Sequence, residues 1–170
     1  MNYSIMFLSP TGNTEILANT VLNTLPLKNC VYFGGFNAEQ AEKSDLVFVG
    51  FWTDKGTCNK ETAEFLKNLK NKRVALFGTA VYGGAEYFDS IISSIKENIP
   101  SENEFIGGYM CKGKLTEETK ERYIKELADG SKDKEHIELM LNNYEDALSH
   151  PDIKDLVNIR DFARNMYYFV

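Results

Sequence analysis

Short apolar runs alternate with amphipathic segments along most of the chain. Five runs predict strands, over residues 3–8, 31–33, 46–51, 74–77 and 105–111. The third run is almost continuously apolar, which is typical of a strand covered by helices on both faces. Apolar residues at a spacing of three and four positions predict helices over residues 14–25 and 62–69, and a further helix that carries Phe88, Ile91, Ile92, Ile95 and Ile99.

This alternation favours an α/β fold in which helices cover both faces of an open, doubly wound parallel sheet. The 170 residues are enough for one domain with a full core, so we expect a single domain over residues 1–170. In such sheets the ligand binds outside the carboxyl ends of the strands. The segments that follow the strands are therefore the first place to look for a site.

Residues 112–150 interrupt the simple alternation with a highly charged insertion. It contains two apolar stripes at helical spacing, joined by a turn over residues 129–133; the stripes are Tyr123, Ile124 and Leu127, then Ile137, Met140, Leu141, Tyr144 and Leu148. We expect two helices, which either cover the ligand-binding edge or extend the core on the far side. A last helix over residues 152–169, with Pro151 at its first position, places one stripe on the core: Ile153, Leu156, Val157, Phe162, Ala163 and Met166.

Composition narrows the classes of function. A net charge of −6 argues against nucleic acid, which selects basic surfaces. The acidic surface either steers docking to a basic protein partner or only maintains solubility. Apolar runs are too short to span a membrane, and the N-terminus lacks the basic start of a signal peptide. Three widely separated cysteines and two histidines argue against a disulfide framework or a zinc site and favour the cytoplasm.

The loop after the first strand carries the strongest chemical signal. It reads Ser9-Pro10-Thr11-Gly12-Asn13-Thr14 and leads directly into a predicted helix. Three hydroxyls, two residue types that tolerate unusual backbone angles and a helix N-terminus together favour a phosphate monoester. Neither the P-loop pattern nor G-x-G-x-x-G follows this strand. The alternative is that these residues serve only as an N-cap.

This loop resembles the phosphate loop of flavodoxins, [TS]-x-T-G-N-T. The resemblance continues at Gly50, at residues 74–78 and at Glu86-Tyr87-Phe88, so that it covers residues 1–111 and resumes in the last helix. It implies a flavodoxin-like five-stranded sheet of order 2-1-3-4-5, non-covalently bound FMN and electron transfer as the function. The hydroxyls of Ser9, Thr11 and Thr14 and the amides of Gly12 and Asn13 would hold the phosphate, although Pro10 has no N–H to contribute.

The resemblance also implies a ring-binding set of residues, drawn from the loops after the third and fourth strands: Phe51, Trp52, Thr53, Asp54, Lys55, Gly56, Thr79, Ala80, Tyr82, Gly83 and Gly84. Trp52, placed beyond its strand, either stacks on the flavin or acts as an apolar lid. Residues 54–56 are the candidates for a peptide whose flip meets the reduced flavin. Lys55 either compensates the anionic reduced flavin or is simply solvated.

The loop after the fourth strand lacks the acidic residue and the well-placed tyrosine of short flavodoxins. Tyr82 is the best remaining aromatic for the second flavin face, and the Gly83-Gly84 pair either lets backbone approach the ring or is a flexible turn. Cys58 and Cys111 are expected near the same edge as buried, inert thiols.

Several segments resemble a narrower branch of flavodoxin-like proteins of anaerobic bacteria, some of them associated with a bilirubin-reducing flavoenzyme: residues 50–58, 109–114 and 148–152. The leading interpretation is an electron carrier that delivers electrons to redox partner proteins, of which a bilirubin reductase is one candidate. The alternatives are a nicotinamide- or quinone-dependent FMN reductase of the same fold, with the insertion walling a second pocket, and an interaction protein that binds no flavin.

Overall fold

The structure is a computed structural model that describes residues 1–130 and 132–169. The strands are β1 (Tyr3–Phe7), β2 (Cys30–Gly34), β3 (Leu46–Asp54), β4 (Thr57–Cys58), β5 (Arg73–Ala80) and β6 (Glu104–Lys112). The α-helices are α1 (Asn13–Thr24), α2 (Ala38–Glu42), α3 (Lys60–Lys67), α4 (Ala85–Lys96), α5 (Glu117–Asp129), α6 (Lys134–Ala147) and α7 (Ile153–Tyr168).

The sheet confirms the predicted fold class. Its five main strands are parallel and run in the order β2-β1-β3-β5-β6, while the two-residue β4 pairs antiparallel with the end of β3. With β4 set aside, this is the order 2-1-3-4-5 of the five predicted strands. The change of direction beside β1 creates the crevice in which ligands of such sheets bind.

The register between the two central strands is set by alternating glycine and phenylalanine. Gly50 pairs with Phe77, and Phe51 pairs with Gly78. Each phenylalanine ring lies over the glycine of the neighbouring strand, where an added Cβ would overlap the ring. Phe51 and Phe77 are fully buried in the cores on opposite faces of the sheet. A slip of one residue would reverse the faces and destroy both contacts, so this pairing is strongly specified.

Helices cover both faces, and each face has its own core. On one face Leu66 of α3 and Ile91 and Ile95 of α4 pack against inward residues of the central strands. On the other face Leu17 of α1 and Ile159 of α7 do the same. Full burial of each such side chain contributes on the order of 1.5–3 kcal/mol to the free energy of unfolding. The strands are thereby held so that their carboxyl ends share one edge.

One helix was not predicted, and two predicted features are wrong in detail. The segment before Lys43 contains the short helix α2, which the side chain of Asn37 caps by accepting from the amide of Gln40. Pro151 is not the first residue of α7, because Asp152 is the N-cap and forms a capping box with Asp155. Two residues of the stripe predicted for α7 do not face the core: Ile153 is 81% exposed and Val157 38% exposed, whereas Ile159, which the prediction left out, is buried. The other four predicted residues, Leu156, Phe162, Ala163 and Met166, lie on the core as expected.

The insertion folds as the two expected helices, α5 and α6, which pack against each other. Ile137 and Tyr144 are buried as predicted, but Ile124 and Leu148 are exposed, and Ala147 takes the buried place next to Leu148. The turn predicted between the helices includes Ser131, which lies outside the described residues. Gly130 ends α5 in the left-handed conformation, with φ of 67°.

Replacement of Gly50 by alanine tests the glycine–phenylalanine register. An added Cβ would lie 2.5 Å from Cζ of Phe77 and 2.6 Å from Cβ of Phe7, so the strands must shift. We expect the free energy of unfolding to fall by about 1–3 kcal/mol in chemical denaturation. Gly35→Ala is the matched control, because nothing lies within 4 Å of its added Cβ. Equal effects of the two substitutions would contradict the steric argument.

Candidate functional site

The loop from Ser9 to Thr14 connects β1 to α1 and presents unused hydrogen-bond donors. Gly12 is the N-cap of α1 and holds φ of 84°, a value that favours glycine. The amide of Glu15 donates to Ser9 Oγ at 2.9 Å, which draws the loop back onto the helix. Within the described residues, the amides of Thr11, Asn13 and Thr14 have no protein acceptor. These amides and the positive end of the helix dipole together favour a bound anion.

The three hydroxyls of the loop are not equivalent. Thr11 is exposed and Ser9 half-buried, so both can donate to a ligand. Thr14 is buried, and its hydroxyl donates to the carbonyl of Phe51 at 3.1 Å. A hydroxyl has one hydrogen, so Thr14 cannot make this bond and donate to an anion at the same time. In this structure Thr14 braces α1 against β3.

Asn13 faces the interior of the site. Its side chain is buried, and Nδ2 donates to Thr11 Oγ1 and to the carbonyl of Lys114, both at 2.8 Å. Because the carbonyl of Lys114 can only accept, the orientation of the amide is fixed by chemistry. Asn13 Oδ1 is buried and has no hydrogen-bond partner among the described residues. Leaving this acceptor unpaired costs on the order of 1–3 kcal/mol.

A cleft of about 290 Å³ opens beside this loop at the carboxyl edge of the sheet, close to the lower end of ligand-pocket volumes. Its lining comes from the three strand ends and from the start of the insertion: Pro10, Thr11, Asn13, Trp52, Thr53, Thr79, Ala80, Val81, Gly113, Lys114 and Leu115. The first seven belong to the set proposed from the sequence. The other four were missed, although Val81 lies between Ala80 and Tyr82, and residues 113–115 follow the edge strand directly.

Trp52 lies within β3, not beyond it. The strand continues to Asp54 because Trp52 pairs with Thr79 and because β4 folds back on the last two residues. Thr53 Oγ1 donates to the carbonyl of Thr79 at 2.9 Å, which fixes this end of the sheet. For the same reason Thr79 and Ala80 belong to β5 and not to the loop after it. Regular strand pairing thus sets the position of Trp52, whose side chain is half-buried.

A tight hairpin turn joins β3 to β4. Lys55 has φ of 49° and Gly56 has φ of 82°, and two positive φ values at the central positions are the mark of a type I′ turn. Glycine and asparagine suit this turn, whereas lysine at positive φ costs on the order of 1–2 kcal/mol. Lys55 is exposed, so its ammonium is solvated at the tip of the hairpin.

The remaining candidate residues lie around the cleft without lining it. Phe51 turns its side chain into the core, so only its backbone faces the site. Tyr82 is 44% exposed and stacks on Tyr87, with ring centroids 5.2 Å apart and planes 16° apart. Gly83 has φ of 116°, and an added Cβ would overlap the ring of Tyr87, so a close approach requires glycine. Gly84 is the N-cap of α4.

The cysteines near this edge are poorly suited to nucleophilic chemistry. Cys58 and Cys111 are free and buried. Burial raises the pKa of both thiols above the ordinary value, because the thiolate loses its hydration. The reactive thiolate is thus disfavoured at neutral pH.

A cluster of His150, Asp152 and Asp155 lies where the chain returns from the insertion. His150 Nδ1 is 2.6 Å from Asp155 Oδ2, and this carboxylate also accepts from the amide of Asp152. Asp152 in turn accepts from the amide of Asp155. The two carboxylates therefore start α7.

None of the helices in the described part of the chain has the length and apolar composition needed to cross a bilayer.

Comparisons with known proteins agree with this geometry. The model of the flavodoxin domain family matches residues 4–164. A flavodoxin-like domain-containing protein BilS of Clostridioides difficile (strain CD3) is 38% identical over 173 residues, covering 98% of this chain and 96% of its own. A protein of the same name from Clostridium symbiosum (strain WAL-14163) is 32% identical over 179 residues, covering 95% of this chain and 94% of its own.

Among solved structures, oxidised flavodoxin 2 from Bacillus cereus superposes with a TM-score of 0.58 at 18% identity and covers 98% of this chain and 97% of its own. A flavodoxin from the domain Archaea gives a TM-score of 0.54 at 13% identity, covering 98% of this chain and 96% of its own. At this level of identity the two structures support the fold alone.

Replacement of Lys55 by asparagine tests the conformation of the turn beside the cleft. Asparagine tolerates positive φ better than lysine, so we expect the free energy of unfolding to rise by about 1 kcal/mol in chemical denaturation. Lys70→Asn, at an exposed lysine without positive φ, is the control and should change stability little. A loss of stability in Lys55→Asn would show that the turn does not hold this conformation in solution.

Proposed function

The chain belongs to the flavodoxin family, and on that premise we propose that it binds FMN at the cleft and carries electrons to a partner reductase in the cytoplasm. Family membership supports a flavin-binding redox protein in general. The single observation that carries the proposal is the set of free donors between β1 and α1, which adjoins a cleft walled by Trp52. A candidate phosphate site and a candidate ring site thus lie side by side, as the proposed binding of a flavin with one phosphate requires.

The donor set fits a phosphate monoester. Amides of Thr11, Asn13 and Thr14 and hydroxyls of Ser9 and Thr11 lie within six residues of one another at the N-terminus of α1. Such donors hold an anion without a cation, because each bond to a charged acceptor is stronger than a neutral one. A dinucleotide such as FAD needs a fingerprint for its pyrophosphate, and no such pattern follows β1. FMN is therefore favoured over FAD.

The protein residues around the ring position it and exclude water, while bound flavin supplies the electron chemistry. Trp52 presents its indole at the cleft from a regular strand, so a flavin stacked on it would be held rigidly. Tyr82 is the candidate for the second face of the flavin ring. It stacks on Tyr87 and does not line the cleft, so its side chain must move to contact a flavin there.

The hairpin turn opposes the peptide flip that the family resemblance suggested for residues 54–56. Flipping the Lys55–Gly56 peptide would convert the turn to type II′, whose first central position strongly favours glycine. Lys55 occupies this position. We therefore expect the turn to keep its conformation when the flavin is reduced, and we assign Lys55 an electrostatic role at most.

A flavin reductase of the same fold is the second candidate, and the cleft supplies the observation that favours it. Val81, Lys114 and Leu115 add a wall that faces Trp52, and a wall of this kind can enclose part of a substrate. A nicotinamide or a quinone would then react at the flavin without a protein partner. For the carrier, a flavin-dependent bilirubin reductase stays the specific partner candidate.

Purification separates the three functions. A yellow preparation that releases FMN on mild denaturation supports both flavin functions, and a colourless one that binds no added FMN contradicts both. Steady NADPH or quinone turnover by the loaded protein alone would then favour the reductase. Electron delivery only in the presence of a partner reductase would favour the carrier.

Loss of the loop hydroxyls should weaken FMN binding. Ser9→Ala combined with Thr11→Ala removes two donors to a charged acceptor, each worth roughly 1.5–3 kcal/mol. We expect the Kd of FMN to rise at least about tenfold in fluorescence titration. Thr20→Ala, on the helix that follows the loop, is the matched control. The Thr20 hydroxyl donates to the carbonyl of Ile16 and lies away from the loop. An unchanged Kd in the double variant would exclude the loop as the phosphate site.

Trp52 should quench bound flavin. If the indole stacks on the ring, Trp52→Ala restores much of the flavin fluorescence, while Trp52→Phe keeps an apolar stacking face and restores less. The measurement is the emission of the fully loaded proteins at equal flavin concentration. Tyr82→Ala is the comparison, and a larger recovery there than in Trp52→Ala would make Tyr82 the stacking residue.

A further inference from the structure

The insertion leaves and re-enters the domain at one point, beside the phosphate loop. The amide of Lys114 donates to the carbonyl of His150 at 3.3 Å, so the two ends of the insertion are joined by a backbone hydrogen bond. The amide of Gly113 donates to the carbonyl of Ala80 at 2.9 Å, which fixes the same point to β5. We call Gly113, Lys114 and His150 the stem of the insertion.

Asn13 connects the stem to the loop. One hydrogen of its Nδ2 goes to the carbonyl of Lys114 and the other to the hydroxyl oxygen of Thr11. Gly113 packs directly on this amide, because an added Cβ would lie 2.9 Å from Asn13 Nδ2. A single buried side chain therefore touches both the residues that face an anion and the backbone from which α5 and α6 extend.

We propose that Asn13 is a positioning residue that couples occupancy of the phosphate loop to the placement of α5 and α6. This inference rests on the proposed function for the identity of its ligand, FMN. Thr11 accepts from Asn13 and so keeps its own hydrogen for the anion. An anion that accepts this hydrogen polarises the Thr11 hydroxyl and so strengthens the hydrogen bond that this hydroxyl accepts from Asn13. The stronger bond holds the Asn13 amide in the orientation in which it also donates to the carbonyl of Lys114.

Coupling of this kind is reciprocal. If a bound anion tightens the stem, then a loosened stem must weaken anion binding by the same factor. Gly113→Ala loosens the stem from the other side, because its new methyl group displaces the side-chain amide of Asn13 while no residue of the loop itself is substituted. Asn13→Ala removes both hydrogen bonds and keeps the backbone amide. Asn142→Ala, at an exposed residue of α6, is the control.

Hydrogen exchange of the backbone amides of residues 117–129 and 134–147, followed by mass spectrometry, tests the proposal. FMN at saturation should slow exchange there roughly fivefold in the native protein and in Asn142→Ala. In Asn13→Ala and Gly113→Ala, loaded to the same absorbance, this protection should be lost, and the Kd of FMN should rise by a similar factor. Gly113→Ala keeps the test valid if Asn13→Ala does not fold.

Inorganic phosphate as a second probe separates failure of the proposed function from failure of the coupling. If FMN does not bind but phosphate slows exchange in α5 and α6 in an Asn13-dependent way, the cofactor is wrong and the coupling stands. Protection that persists in both variants shows that the contact is only structural. Absence of protection by a bound ligand in the native protein overturns the proposal.

Discussion

The packing of Phe51 and Phe77 over the glycines of the neighbouring strand holds the rest of the structure in place. Each ring needs the space that only a glycine leaves, and the two contacts lie on opposite faces of the sheet. The pairing of β3 with β5 can therefore adopt one register. That register decides which residues reach the carboxyl edge together, and it places Trp52 beside Thr79.

The cleft follows from this edge. β1 ends opposite Gly50, two residues before Trp52, so the loop that leads into α1 and the indole on β3 line the same cleft. The hairpin of β4 extends β3 past the point where the buried part of the sheet ends. As a result, the aromatic residue that walls the cleft, Trp52, lies on a paired strand, which fixes the direction of its side chain. On a loop the same ring would be free to move.

Much of this arrangement was predictable from the sequence. The apolar runs, the loop from Ser9 to Thr14 and the helical stripes gave the order of elements, because burial on both faces needs continuous apolar strands. The end of β3 was not predictable, since Trp52, Thr53 and Asp54 carry no alternation and their pairing depends on a two-residue strand. The exposure of Ile153 and Val157 in α7 was not predictable from the pattern, because both residues are apolar.

Lys114 and Leu115 follow the edge strand, which points to the ligand-binding edge, but the sequence pattern does not show that they wall this cleft. This wall depends on a tertiary contact, the hydrogen bond from Asn13, between residues about a hundred positions apart. In contrast, Asp152 showed its role as an N-cap through Asp155 three positions later, a pattern that was open to recognition. The prediction instead placed Pro151 at the first position of the helix, one residue before this N-cap.

The insertion can be exchanged as a unit, because the stem joins its two ends by a backbone hydrogen bond. Its two ends meet at one hydrogen-bonded pair, so residues between them can be lengthened, shortened or replaced without a change in any strand of the sheet. Loop-closure entropy grows only slowly with length, and such exchanges therefore cost little stability. Evolution or an engineer can thus vary the helices at this position while the flavodoxin-like scaffold stays the same, provided that a glycine remains at position 113 and an asparagine faces it.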